Sequence, residues 1–214
     1  MKLKNKNKYK IDELFNKAKW EYKLQREERL FLETLLNQLN VCTWQKDAQE
    51  NYYLAILSLG LSSVPQERTI KLVEKFLDKS KFCDTITAAS LKVLCYPSYW
   101  DLSERYCDVI CAYLNSDDEM YIDSHQTSIQ CLGFYGNKTK DKKAIRMILN
   151  KYEDLVKKGI DECDEIEYEC YYNALLSVVW GSDYIIKKNK LFSRTHKDNE
   201  IIKEIQDILY GNGV

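Results

Sequence analysis

The sequence predicts an all-α chain of about ten helices stacked as antiparallel pairs, and three observations predict it. Turn formers are scarce: 7 glycines and 2 prolines in 214 residues leave too few breaks for an all-β chain of many short strands. Apolar residues recur at helical spacing, not in alternation. One short pattern also returns, made of a small residue, an apolar one, two fillers, an apolar one and a small terminator. It appears as Ala55-Ile56-Leu57-Ser58-Leu59-Gly60, as Ser90-Leu91-Lys92-Val93-Leu94-Cys95 and as Ser128-Ile129-Gln130-Cys131-Leu132-Gly133. A looser fourth copy, Ala174-Leu175-Leu176-Ser177-Val178-Val179, stands two residues ahead of Gly181. A hydrophobic content of 45% is enough to bury a real core.

The elements follow in order. Residues 1–25 are polar and basic and form an N-terminal cap, with Asp12 opening a short helix through Leu14, Phe15 and Trp20. Leu30, Phe31, Leu35, Leu36 and Leu39 make one stripe of the next helix. Another runs from near Asp47 to Gly60, starting on an acid and stopping on a glycine. Pro65 takes a first-turn position before Ile70, Val73, Phe76 and Leu77. Asp84 opens the Ile86–Cys95 helix, which Pro97 closes. Leu102, Tyr106, Val109, Ile110, Tyr113 and Leu114 form a further stripe, ended by the acidic turn Asp117-Asp118-Glu119. Then come a Tyr121–Gly133 helix, a Lys-rich lead into Ile145, Ile148, Leu149, Tyr152 and Leu155 stopping at Gly159, and a long helix from Asp164 to Gly181. The tail, with Ile201, Ile202, Ile205, Ile208 and Leu209, is amphipathic, as a terminal cap requires.

Superposing the inner helices on Ala55, Ser90, Ser128 and Ala174 gives steps of 35, 38 and 46 residues, and the outer series Leu39, Leu77, Leu114 and Leu155 gives 38, 37 and 41. Two helix series advancing by similar steps are the mark of stacked helix pairs. Over residues 26–181 the chain resembles the HEAT-like α-solenoids, whose repeats are antiparallel helix pairs of about 40–47 residues. The resemblance implies one helical-repeat domain over 1–214, with about four repeats in 26–181 and a C-terminal cap in 182–214.

In such an array the inner series lines the usual binding face. Relative to Ser128, helical geometry puts His125, Ser128, Ile129 and Leu132 on the packed side and offsets −5, −2 and +2 on another. Through the four inner helices that second stripe reads Glu50, Tyr53 and Leu57; Thr85, Ala88 and Lys92; Asp123, Gln126 and Gln130; Glu169, Tyr172 and Leu176. Tyrosine suits an interface because a large apolar ring carries a hydroxyl. The candidate partner-binding residues are therefore Glu50, Tyr53, Asp123, Gln126, Gln130, Glu169 and Tyr172.

Charge is patterned in a chain of net charge −1. Residues 101–125 hold seven acids and one base, and 153–169 hold eight acids and two bases. Residues 1–29 hold ten bases and five acids, and 137–151 hold six bases and one acid. The acidic stretches bracket the third and fourth inner helices, so the expected groove is negative and steers a basic partner.

Catalytic and metal patterns are weak. Asp123-Ser124-His125 has the residue types of a hydrolase triad, but adjacent helical residues do not converge. Cys107 and Cys111, with His125 and Cys131, lack the C-x2-C spacing of structural zinc sites. Glu162, Glu165 and Glu169 share a face without a Glu-x-x-His partner, and Gly133-Phe134-Tyr135-Gly136 lacks the lysine of a phosphate loop and reads as a helix-ending turn. The eight cysteines fall mostly within apolar helical faces and read as reduced core thiols. No metal or cofactor is expected. The longest apolar run, near Leu54–Leu61, falls short of the roughly 20 residues of a membrane span. The basic start has no apolar signal region, so the expectation is a soluble cytoplasmic protein.

Two further resemblances bear on function. In size and helicity the chain is similar to the HEAT-like alkylpurine DNA glycosylases, and Trp100, Asp101 and Trp180 supply residue types they use; a DNA groove, however, must meet phosphate with Lys and Arg. A small, low-glycine, Lys/Asn-rich chain also looks like a bacterial immunity protein. That resemblance implies a non-catalytic inhibitor that occludes the basic active site of a toxin, a nuclease in the leading case. A HEAT-type scaffold or adaptor is the other alternative.

Overall fold

The computed structural model describes residues 5–20, 23–40, 46–62, 65–115, 122–158, 165–191 and 198–211, and all regular structure among them is helical. The helices are α1 (Asn5–Lys19), α2 (Arg26–Asn37), α3 (Lys46–Ser62), α4 (Glu67–Glu74), α5 (Asp84–Cys95), α6 (Cys107–Leu114), α7 (Ile122–Thr139), α8 (Lys142–Lys158), α9 (Glu165–Trp180), α10 (Tyr184–Leu191) and α11 (Asp198–Tyr210). The acidic turn expected at 117–119, the stop at Gly159 and the start at Asp164 lie outside the described residues. None of the helices in the described residues is long and apolar enough to cross a membrane. Where the sequence reads as one array, the chain divides into two compact units: Met1–Leu102 with Asp117–Ser124, and Ser103–Ser116 with His125–Val214.

In the first unit α2 packs on α3 and α4 on α5, while α3 also packs on α5 and α2 on α4. Each helix thus touches its own partner and its counterpart in the next pair, which is the packing of two stacked helix pairs; α1 closes the free side of α3. The amphipathic helices α2 and α4 turn Leu32, Leu36 and Val73 inward, and the 3-10 turn that follows α4 adds Phe76; each is 0% exposed. They meet Ile56, Leu59, Ile86, Leu91 and Leu94 of α3 and α5, also 0% exposed. Burying a side chain of this size contributes about 1.5–3 kcal/mol. Lys75 ties the outer helices together by donating from Nζ to the Leu36 carbonyl at 2.9 Å, at the α2 C-terminus where a cation is favoured.

The second unit is built on α9, against which α8, α10 and α11 pack; α11 also lies on α8. Ile145, Ile148, Ala174, Leu175 and Leu176 are 0% exposed, and α11 adds Ile201, Ile205 and Leu209. Asp141 starts α8 by accepting the Lys143 and Ala144 amides at 2.8 and 3.3 Å.

The four positions used to superpose the inner helices, Ala55, Ser90, Ser128 and Ala174, are each 0% exposed. The glycines near them do a different job from the one expected. α3 continues through Gly60 to Ser62, and α7 continues through Gly133 and Gly136 to Thr139, so neither Gly60 nor the Gly133–Gly136 segment ends a helix. A Cβ on Gly133 would stand 2.6 Å from the Ala174 carbonyl oxygen, and one on Gly60 would stand 2.7 Å from both Tyr99 Cδ1 and Val93 Cγ2. These glycines let one helix approach another closely. Gly181 and Gly211 do act as stops, with φ +59° directly after α9 and φ +75° directly after α11. Two start positions also shift: Asp12 lies inside α1, which begins at Asn5, and Pro65 precedes the N-cap Gln66 instead of lying in the first turn of α4; Trp20, expected within the leading helix, falls beyond α1 and is 70% exposed.

Candidate functional site

In the first unit the candidate residues gather where α3, α5 and the first turn of α7 meet. Asp84 is the first residue of α5, yet its carboxylate does not cap its own helix. It accepts the backbone N–H of Asp123 at 2.6 Å and of Ser124 at 2.8 Å, and Ser124 Oγ donates back to the Asp84 carbonyl at 3.2 Å. A carboxylate on another helix therefore satisfies the first amides of α7 and meets the positive end of its dipole. This contact fixes Asp123 beside Asp84.

Asp123 itself is an exposed residue, and its Oδ2 accepts the Thr85 hydroxyl at 3.5 Å. Partial desolvation first, and then the adjacent Asp84 charge, push its carboxyl above the ordinary value, against the smaller opposing effect of Thr85. Tyr53 of α3 is half-buried; burial raises its phenol, and the Asp123 charge adds to the rise. Behind it, burial and then Tyr53 push the Tyr99 phenol to about 12. Both phenols therefore stay protonated at neutral pH, Tyr53 within the field of the Asp123 carboxylate and Tyr99 behind Tyr53. Ile122, 59% exposed, gives the cluster an apolar neighbour, and Glu50 is exposed one turn before Tyr53.

In the second unit Tyr172 belongs to a three-ring stack. Its centroid lies 6.0 Å from that of Tyr152 and 6.5 Å from that of Tyr168, and the Tyr152 and Tyr168 hydroxyls are 3.0 Å apart. Tyr168 and Tyr172 face each other because they sit four residues apart on α9. Glu169 is exposed on α9, and Gln126 is half-buried on α7. Gln130 lies inside this unit, 7% exposed, with its amide donating to Ser177 Oγ, so it is not part of a free surface.

The remaining stripe positions follow the same trend. Leu57, Ala88 and Leu176 are 4%, 8% and 0% exposed, because the inner helices are packed on several sides beyond their first two turns. The stripe is therefore open near the helix starts and again at Lys92, which is half-buried on α5. Sequence reasoning missed Tyr99 and the capping role of Asp84, which depend on contacts across helices; the Tyr168–Tyr172 pair was visible as an i, i+4 spacing. Trp100 is buried in the first unit at 5% exposure, so its ring is not offered to a ligand, and Asp101 beside it holds φ 53°. Among the described residues no three His, Cys, Asp or Glu side chains gather in a form that could hold a metal ion.

Comparison with known proteins finds no significant match: no family model, no curated protein and no solved structure.

Proposed function

We propose that this chain acts by binding a basic protein partner through the carboxylate–phenol surface formed by Asp84, Asp123, Tyr53 and Tyr99. The specific form of this proposal is an immunity protein that neutralises a toxin, a nuclease in the leading case, by covering a basic active site. The observation that carries it is Asp123. Its carboxylate is held beside Asp84, no lysine or arginine among the described residues pairs with it, and its raised pKa means that ionisation there opposes folding. A partner's guanidinium or ammonium would relieve that repulsion, while the Tyr53 ring and Ile122 give it apolar contact. A nuclease site that normally holds phosphate offers such cations.

The test mixes the purified full chain with the basic domain encoded by the adjacent reading frame and follows heat of binding and nuclease activity. The expected result is a tight complex that silences the nuclease, weakens with salt and loses about tenfold or more in affinity on Asp123→Lys. No complex, or a complex indifferent to Asp123→Lys, overturns the reading. A mobility shift with duplex DNA would instead assign the chain to the DNA-binding class.

A further inference from the structure

The first unit also contains a cavity of about 410 Å³ lined by Arg26, Arg29, Leu30, Glu33, Leu59, Gln66, Arg68 and Thr69. The size is that of a small-molecule pocket. Its chemistry is opposite to that of the surface just described. Arg26, Arg29 or Leu30, and Glu33 recur at helical spacing and form one face of α2; Gln66, Arg68 and Thr69 supply the start of α4, and Leu59 of α3 supplies an apolar floor.

The charges do not cancel. Among the described residues of the lining Glu33 is the one carboxylate, and it is already engaged: its Oε1 accepts the Thr69 hydroxyl at 3.0 Å and its Oε2 lies 3.7 Å from Arg68 Nη2. The neighbouring acid Glu28 is drawn away by Lys17, whose Nζ donates to both its oxygens at 2.6 and 2.8 Å. Arg26 and Arg29 have no ion-pair partner among the described residues, so three guanidiniums face one cavity against one carboxylate. Guanidiniums repel one another unless an anion lies between them, and their planar forks suit two oxygens of the same group.

We infer that this pocket binds a small organic phosphate monoester, its phosphoryl dianion held by Arg26, Arg29 and Arg68 and its organic part against Leu30. A dianion matches the two positive charges left after Glu33, which a single carboxylate does not. The volume exceeds what a bare phosphate fills, and Leu30, 51% exposed, gives the remainder of the ligand an apolar wall. The pocket shares no residue with the Asp123 surface, so the inference stands independently of the proposed partner.

Calorimetric titration of the full chain with phenyl phosphate, and separately with inorganic phosphate, tests it. Phenyl phosphate should bind saturably at low salt, about tenfold or more tighter than inorganic phosphate, because only the ester reaches Leu30. Arg29→Gln and Arg26→Gln should each weaken it about tenfold or more, while Lys151→Gln in the second unit leaves it unchanged. Leu30→Ala, at a residue that is 51% exposed, should weaken phenyl phosphate and spare inorganic phosphate. Circular dichroism of each variant confirms that the helices persist. Absence of saturable binding to the folded chain, equal affinity for the two probes, or loss of affinity no greater in Arg29→Gln than in Lys151→Gln would overturn the inference.

Discussion

The first unit carries two charged places of opposite sign, and α3 contributes to both, Tyr53 to one and Leu59 to the other. They share a construction. At the acidic place Asp84 is taken up by two backbone amides of α7, and among the described residues no lysine or arginine pairs with Asp123; at the basic place Glu33 is taken up by Thr69 and Arg68, and among the described residues no acid pairs with Arg26 or Arg29. In each, one carboxylate joins two helices and positions a charge that the fold does not use. The difference lies in shape. The acidic charges lie on an open surface suited to a macromolecule, whereas the guanidiniums line a cavity of about 410 Å³ suited to a small one.

The comparison breaks if the joining carboxylates prove dispensable. Asp84→Ala removes the acceptor of two amides at the α7 start and should cost about 1–2 kcal/mol in urea unfolding. A neutral result would mean that α7 is not capped from α5. Glu33→Ala should cost less, about 1 kcal/mol, by leaving Thr69 without its acceptor and the guanidiniums uncompensated. Phenyl phosphate should offset part of that loss by binding the folded chain. The unpaired charges should matter least to folding: Arg26→Gln and Arg29→Gln should each stay within about 0.5 kcal/mol of the parent.

How much of this was legible in the sequence depends on how far each contact reaches along the chain. The helices, and the register that aligns Ala55, Ser90, Ser128 and Ala174, followed from local periodicity, and all four positions are fully buried. Glycine roles did not follow. Gly60 and Gly133 occur where a terminator would, but whether a glycine ends a helix or admits a neighbour depends on Tyr99 and Val93 in one case and on Ala174 in the other. The same limit hid the sites. Asp84 reaches amides 39 and 40 positions away, and Arg68 joins Arg26 and Arg29 from a different helix. Summed charge placed bases in residues 1–29 and acids in 101–125, but a sum cannot separate charges that hold the fold from those left over. Stripe reasoning erred at Gln130 because it treated the inner helices as open along their length.

The account rests most directly on Asp123, and the stability of Asp123→Asn as a function of pH tests it. A carboxyl raised in the folded state contributes stability below its unfolded value of about 4 and loses it as pH rises through the higher folded value. The asparagine variant should therefore match the parent near pH 3 and be the more stable of the two at pH 7, even though it binds a basic partner less well. A variant less stable than the parent at pH 7 would mean that Asp123 is part of what holds the fold together, and the reading of it as a charge kept for a partner would fall.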